Sequence, residues 1–421
     1  MQYENSLAFA QQLDQQDPLK HYRKRFHMPQ HKGKDVIYLC GNSLGLQPKS
    51  VEKALLAELN QWKTYGVEGH FKGEMPWMYY HKFLTQQSAN LVGAKPEEVV
   101  VMNTLTTNLH LMMVSFYRPT KDRYKIIIEA GAFSSDQYTV ESQIKFHGFN
   151  PDEALIELKP RAGEHTLRTE DIASVITDNK NQLALVLLPG VQYYTGQFFD
   201  IKKITEAGHQ AGALVGFDLA HAIGNVPLQL HKDNVDFAVW CSYKYLNSGP
   251  GGIAGTFIHE RHKDNFDIPR FAGWWGHDEK ERFQMKKGFK PMIGADGWQL
   301  SNVPVLAGAA HLASLKLFEE VGMTSLRKKS ILLTGYLHYL LKETDPNEKY
   351  YSIITPAEVD ARGCQLSILM KRNGKKIFNS LMQKGIFTDW REPDVIRAAP
   401  VPLYNSFEDV FRFSTTLSSL L

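Results

Sequence analysis

Between residues 98 and 259 the chain alternates short apolar runs with stretches of helical periodicity, and no other feature restricts the fold as much. The runs are Glu98–Met102, Tyr124–Glu129, Ala184–Leu188, Ala213–Phe217, Phe237–Cys241 and Ile253–His259. They are rich in β-branched and aliphatic residues and mostly uninterrupted, as in strands covered on both faces. Between several of them, Ser134–Lys145, Glu170–Asn179 and Ile201–Gln210 place apolar residues at helical spacing. This order predicts a mainly parallel α/β sheet. Pro304–Leu341 then reads as long helical material, followed by a strand-like Cys364–Met370, a helix around Lys376–Lys384 and a C-terminal helix from Ser406. That second set predicts a smaller α+β domain. A chain of 421 residues also exceeds what one compact core organises, so two domains are expected.

Composition removes several function classes. A net charge of +3 is too small for a nucleic-acid-binding surface, and the basic run from Lys20 to Lys34 reads as a solvated or interface face. The 3 cysteines, Cys40, Cys241 and Cys364, lie far apart and support neither a disulfide framework nor a metal site. The start is polar and amphipathic, with no charged-then-apolar leader. The longest apolar runs, such as Leu183–Gly190, are strand-sized. A cytoplasmic protein, bound to neither membrane nor nucleic acid, is expected.

The ends of the strands carry the chemistry. The run ALVGFD ends in Asp218, and the following strand, DFAVWCSYKYL, ends in Tyr243 and Lys244. Open α/β sheets bind ligands at the carboxyl ends of their strands, so a carboxylate and a lysine share that edge. Pyridoxal phosphate chemistry needs this pair: an amine to hold the cofactor covalently, and a carboxylate to keep its pyridine nitrogen protonated. Either residue alone is explained as a charged strand end. Other features point the same way. Lys244 runs into a Gly-Pro-rich turn, and Asn103–Asn108 offers hydroxyls and free N–H groups at a helix start, where phosphate binds. Phe133 and Asp136 follow another strand and suit stacking and hydrogen bonding to a planar ring. His221 lies three residues after Asp218, and Arg397 suits a bidentate clamp on an amino-acid carboxylate. Core packing, an ordinary helix cap or a surface ion pair remains open for each one singly. The P-loop and H-E-x-x-H motifs are missing from the chain.

Taken together these residues resemble the kynureninase family, within fold type I of the pyridoxal phosphate enzymes. The resemblance rests on YLCGNSLGLQPK (38–49), NTLTTNLH (103–110), FSSDQY (133–138), DLAHAIGN (218–225) and CSYKYLNSGPGG (241–252). It continues through AGWWGH (272–277), QLSNVPVL (299–306), RGCQLSI (362–368) and IRAAPVPLYNSFEDV (396–410). One departure is Ser134, where the family usually has proline.

The resemblance implies an α/β fold with a seven-stranded-type large-domain sheet and a smaller α+β C-terminal domain. Residues 1–50 would pack on the small domain, 51–305 would form the large cofactor-binding domain, and 306–421 the small one. It implies Lys244 as the covalent lysine, Asp218 as the pyridinium partner, and Tyr243 for phosphate contact and proton transfer. Leu105, Thr106, Phe133, Asp136, His221, Trp274 and Asn302 would complete the cofactor site, the last two from a partner subunit. Arg397, Ser43, His70 and Asn302 would bind substrate, and no metal is called for. The implied reaction is hydrolytic Cβ–Cγ cleavage of L-kynurenine or its 3-hydroxy form, giving anthranilate or 3-hydroxyanthranilate and L-alanine. The enzyme would be a homodimer with shared sites, serving tryptophan catabolism or NAD biosynthesis. A desulfurase, an aminotransferase or a non-catalytic cofactor-binding homologue are the alternatives.

Overall fold

The computed structural model describes residues 2–421. Seven strands form the main sheet: β1 (Val99–Val101), β2 (Lys125–Glu129), β3 (Leu155–Leu158), β4 (Leu183–Pro189), β5 (Leu214–Asp218), β6 (Phe237–Trp240) and β7 (Gly255–Ile258). Their spatial order is β1-β7-β6-β5-β4-β2-β3. All pairs are parallel except those of β7, which runs against both β1 and β6. The predicted strands therefore all form, with ends displaced by a residue or two, and the sheet is mainly parallel. Strand β3 escaped the sequence reading because Leu155–Leu158 carries an exposed Glu157 at a sheet edge.

The apolar runs are continuous because each strand is buried twice. Ile127, Val186, Val215 and Phe217 point into one core, whereas Ile126, Ile128, Leu185 and Leu187 point into the other. Helices cover both faces: α1 (Leu7–Gln16), α2 (Ser50–Tyr65), α3 (Lys82–Val92), α4 (Leu105–Phe116), α5 (Ser134–Phe146), α6 (Thr169–Asp178) and α7 (Ile201–Gln210) precede or alternate with the strands. Of these, α1 lies elsewhere, against the C-terminal part of the chain.

The helical stretch after 304 is two helices, α8 (Val305–Val321) and α9 (Met323–Thr344), divided by Gly322 at φ +75°. That backbone is open to glycine and strained for other residues, so the helix breaks there. Leu312, Leu315 and Phe318 of α8 belong to the main core, whereas Leu333, Leu337 and Leu340 of α9 belong to a second one. By packing, we propose that the second unit begins after Gly322 rather than at 306. Its sheet consists of β8 (Tyr351–Ile353), β9 (Leu366–Met370), β10 (Asp389–Arg391) and β11 (Val395–Ala398), all antiparallel in the order β8-β9-β11-β10. Helices α10 (Gly374–Gln383) and α11 (Phe407–Ser418) cover it, and Ser406 caps α11 with Asp409 in a capping box. Ala10, Leu13 and Leu39 enter this second core, while Tyr22, Phe26 and Leu46 enter the main one, so the N-terminal segment straddles both.

A buried charge cluster stitches the main sheet. Asp236 accepts from His209 Nε2 (2.8 Å), His262 Nε2 (3.0 Å), Arg261 Nη2 (2.9 Å) and Val215 N (2.8 Å). Burial alone would raise its pKa, but these donors together hold it well below the ordinary carboxylate range. A carboxylate depressed in the folded state contributes stability above its unfolded pKa of about 4, and that stability is lost as pH falls below it. Asp236→Asn is therefore expected to lower the melting temperature at pH 7, with the gap to wild type narrowing progressively as pH falls below about 4 toward the depressed folded pKa. A constant offset between the two across that range would refute the assignment.

Candidate active site

The strands deliver their terminal residues to one edge. Asp218 is the last residue of β5, held between Pro189 of β4 and Val239 of β6 by the sheet register. Its Oδ1 accepts from Ala220 N at 2.6 Å, which turns the chain sharply and brings His221 back over the edge. Lys244 follows β6 after a short irregular link and donates from Nζ to His221 Nε2 at 2.9 Å. Gly45, in the GNSLG segment, lies directly behind: its N–H donates to Tyr243 O at 2.9 Å, and a Cβ there would sit 2.3 Å from Lys244 O. Only glycine allows that approach.

The neighbouring loops supply the walls. Lys244 Nζ lies 5.6 Å from the centre of the Phe133 ring, which packs edge-on to Tyr193 at 5.3 Å and stays open on its other side. Phe133 precedes α5, so Ser135 and Asp136 fall in the first turn of that helix. Ser134 opens the helix, and Phe133 faces Lys244. Thr106, in the first turn of α4, meets Ser135 through their hydroxyls at 2.6 Å. The α4 start, at Leu105, has no side-chain cap from Thr104. Two helix starts and two hydroxyls thus converge, which is an arrangement that accepts an anion.

Charge is concentrated at this edge. Burial, with repulsion from Asp218 and Glu129, holds Asp136 far above the ordinary carboxylate range. Burial and Asp218 push Glu129 up to about 8. Burial raises Asp218 as well, but Ala220 N and the Lys244 ammonium oppose it. Of the close pair, Asp136 is therefore the member that holds the proton and Asp218 the one that ionises. His221 is held neutral by burial and by Lys244, Arg397 and Arg391. Burial and the adjacent Cys241 raise the Tyr243 phenol, which stays protonated and can donate. Two buried polar atoms, Asp136 Oδ1 and His221 Nδ1, have no protein partner. Unpartnered buried polar groups beside an ammonium, an aromatic face and an anion cradle fit a phosphorylated planar cofactor.

Arg397, fully buried on β11, lies on the other side of this space. Its Nη1 donates to Tyr193 O at 2.6 Å, and its Nη2 pairs with Asp389 and lies 3.5 Å from Ser43 Oγ. Ser43 therefore sits with the arginine, where a substrate carboxylate would go, and apart from the other residues expected around an aryl ring. His70 and Asn302 line a different cleft with Trp62 and Trp77, and none of the Lys244 cluster lines it. Trp274 is 45% exposed, donates to Arg282 O at 3.0 Å, and stacks edge-on with Trp275 and Phe283. Within one chain His70 and Asn302 thus line a cleft apart from Ser43 and Arg397, and Asn302 and Trp274 are the two residues expected to serve a partner subunit's site.

Sequence reasoning passed over Glu129, Tyr193, Asp389 and Arg391. Glu129 ends the run KIIIE just as Asp218 ends ALVGFD, so the same argument applied to both. Asp389 and Arg391 alternate in DWR opposite the strand of Arg397, a signal legible only once that hairpin is recognised.

The arrangement has close relatives. Residues 326–417 match the kynureninase C-terminal domain model. The chain is 56% identical to the kynureninase of Flavobacterium psychrophilum, covering 99% of this chain and 98% of that one. It is equally identical, at 56%, to the kynureninase of Myxococcus xanthus over 99% of this chain and 97% of that one. The kynureninase of Nematostella vectensis is 51% identical over 98% and 94% of the two chains. Among solved structures, a cysteine desulfurase from Thermococcus onnurineus superposes with a TM-score of 0.76 at 18% identity, covering 91% of this chain and 94% of that one. A cysteine desulfurase of Escherichia coli gives 0.75 at 16% identity, over 95% and 98%. These establish the fold-type I architecture. Full-length identity above half, with the lysine, aspartate, histidine and arginine assembled at one sheet edge, leads to one conclusion: the chain belongs to the kynureninase family.

Proposed function

We propose that this enzyme binds pyridoxal phosphate and hydrolyses the Cβ–Cγ bond of L-kynurenine or 3-hydroxy-L-kynurenine. The products are anthranilate or 3-hydroxyanthranilate, and L-alanine. The observation that carries the reading is Lys244 Nζ held 2.9 Å from a neutral His221 beside Asp218, in a chain 56% identical to kynureninases over its length.

Bound there, the cofactor supplies an electron sink for the charge left at the substrate Cα when its proton departs. Thr106, Ser135 and the N-terminus of α4 would hold the phosphate, and Phe133 would cover one face of the ring. Ionised Asp218 would face the ring nitrogen and keep it protonated, while Asp136 donates to a ring substituent. Lys244 would hold the cofactor covalently, and its amine is placed to take the Cα proton of the substrate. Arg397 fixes the α-carboxylate and so orients the Cα–H bond toward Lys244. Tyr243, kept protonated by its surroundings, delivers a proton as the carbon–carbon bond breaks. The test is fluorescence-monitored release of anthranilate from L-kynurenine by the cofactor-loaded protein. A coloured protein without anthranilate would retain the cofactor site and reject the reaction.

The desulfurase alternative is not favoured. It needs an accessible thiolate, and burial pushes Cys40 and Cys364 up to about 12 and Cys241 up to about 11.

We place this enzyme in the cytoplasm as a homodimer. Among the described residues no helix is long and apolar enough to cross a membrane. Trp62, Val67, Phe71, Phe283, Met285 and Leu306 are large, apolar and exposed, a surface that a second copy would cover. Docking would also carry His70, Asn302 and Trp274 toward the partner's Lys244, completing a site that one chain leaves open. Light scattering is expected to give twice the mass of one chain; a monomer that turns over would refute shared sites. His70 and Asn302 would then bond an aryl hydroxyl, and 3-hydroxy-L-kynurenine is expected to show the higher kcat/KM. A marked preference for the unsubstituted substrate would exclude this role. The products suit tryptophan catabolism or, when hydroxylated, NAD biosynthesis.

A further inference from the structure

The small sheet has one apolar face and one charged face. Leu366, Ile368, Ile396 and Ala398 point into its core, and Trp390 packs on it. Strand alternation then turns Ser367, Arg397, Asp389 and Arg391 to the opposite face, toward the site. The register sets Asp389 directly across from Arg397 on β10, with Ser367 across from it on β9. The acid beside the arginine is therefore placed by strand pairing.

One oxygen, Asp389 Oδ2, accepts from Ser43 Oγ, from Arg397 Nη2 and from Arg391 Nη2, the last at 3.2 Å. Arg397 is anchored on its other arm by Tyr193 O, and its buried Nε has no partner. Two guanidinium charges thus face one carboxylate, and a buried donor remains unused. A neutral His221 adds nothing to that balance.

Building on the reading of Arg397 as the carboxylate clamp, we propose that Asp389 is a positioning and specificity-determining residue for it. Asp389 holds the Arg397 fork against β10 with its free donors turned to the site. It also cancels one of two guanidinium charges, leaving a single positive charge to meet a single substrate carboxylate. Amino acids with one carboxylate neutralise the site, and those with two are rejected by the buried excess of negative charge.

The test uses cofactor-loaded wild type, Asp389→Asn and Asp389→Ala, with melting curves to confirm folding. L-Alanine and L-aspartate are titrated against the visible absorbance of the bound cofactor, and L-kynurenine kinetics are measured alongside. Asp389→Asn keeps an acceptor for Arg397 and removes the charge. Its preference for L-alanine over L-aspartate is expected to fall at least about tenfold, with kcat within about threefold of wild type. Asp389→Ala also frees the fork, and kcat/KM for L-kynurenine is expected to fall about tenfold or more, with KM carrying most of the loss. An unchanged ratio of the two affinities in Asp389→Asn overturns the proposal, whether or not Asp389→Ala folds. Failure of wild type to release anthranilate would instead count against the reaction, and the two titrations would still decide the role of Asp389.

Discussion

Replacing Lys244 by alanine is expected to abolish anthranilate release, by at least about 10³-fold, while leaving the fold intact. In the proposed mechanism two functions would sit on one nitrogen: the covalent hold on the cofactor, and the movement of the Cα proton, which alone contributes about 10²–10⁴-fold. The structure separates this from a folding effect. The Lys244 side chain ends in one hydrogen bond, to His221, and in contacts with the Phe133 and Tyr243 rings, and its backbone carbonyl packs on Gly45 whatever the side chain. Truncation removes a buried amine and leaves the backbone unchanged, so unfolding stability without cofactor should stay within about 1 kcal/mol of wild type. The loaded mutant should also lose its visible absorbance on desalting, since nothing then tethers the cofactor. Residual turnover within tenfold of wild type would move the chemistry to another residue.

The largest stability effect is expected far from the site, at Lys329 on α9. Its Nζ pairs with Asp17 at 2.7 Å, and both side chains are almost wholly buried. Burial alone lowers the Lys329 pKa, opposed by Asp17, Asp14 and Asp409. The surroundings explain the placement. Asp14 accepts from Phe407 N (2.7 Å) and Glu408 N (3.0 Å) at the start of α11, and Asp409 pairs with Arg23 at 2.5 Å. The end of α1 and the start of α11 thus bring three carboxylates together, answered among the described residues by Lys329 and Arg23. Lys329→Met would strand Asp17 among like charges at a cost of about 3–5 kcal/mol. Adding Asp17→Asn should recover most of that loss, because no buried charge is then unpaired. Chemical denaturation of the single and double mutants measures both. A single-mutant loss under about 1 kcal/mol would show that the pair is not needed. The same cluster gives one member of the early basic run an internal role: Arg23 is a bracket, donating to Asp409 and to Tyr404 O, while its basic neighbours stay exposed.

Much of this molecule was legible in order along the chain. Runs such as KIIIE and ALVGFD are apolar without alternation because two cores claim opposite sides of each strand, so their burial is written into consecutive residues. Their parallel order then carries Asp218, Lys244, Asp136 and Thr106 to one edge, since every parallel strand ends there. The shared edge of residues adjacent to strand ends was therefore legible from the sequence alone.

What the chain order could not settle depends on segments distant in sequence meeting in space. Gly322 divides α8 from α9 by backbone conformation, and the packing of each helix on a different core locates the break between units. Ser43 joins Arg397 and Asp389 because the N-terminal segment crosses from one core to the other, which no local pattern records. Asp389 became visible only through a strand register that sets it opposite Arg397. The sequence by itself determined the α/β sheet, the edge that carries the chemistry and the family, because each depends on local pattern. The tertiary structure alone decided the charge balance around Arg397 and the separation of His70, Asn302 and Trp274 from Lys244. Both arise from long-range packing, where the partner of a side chain is chosen by the fold and not by its neighbours in the chain.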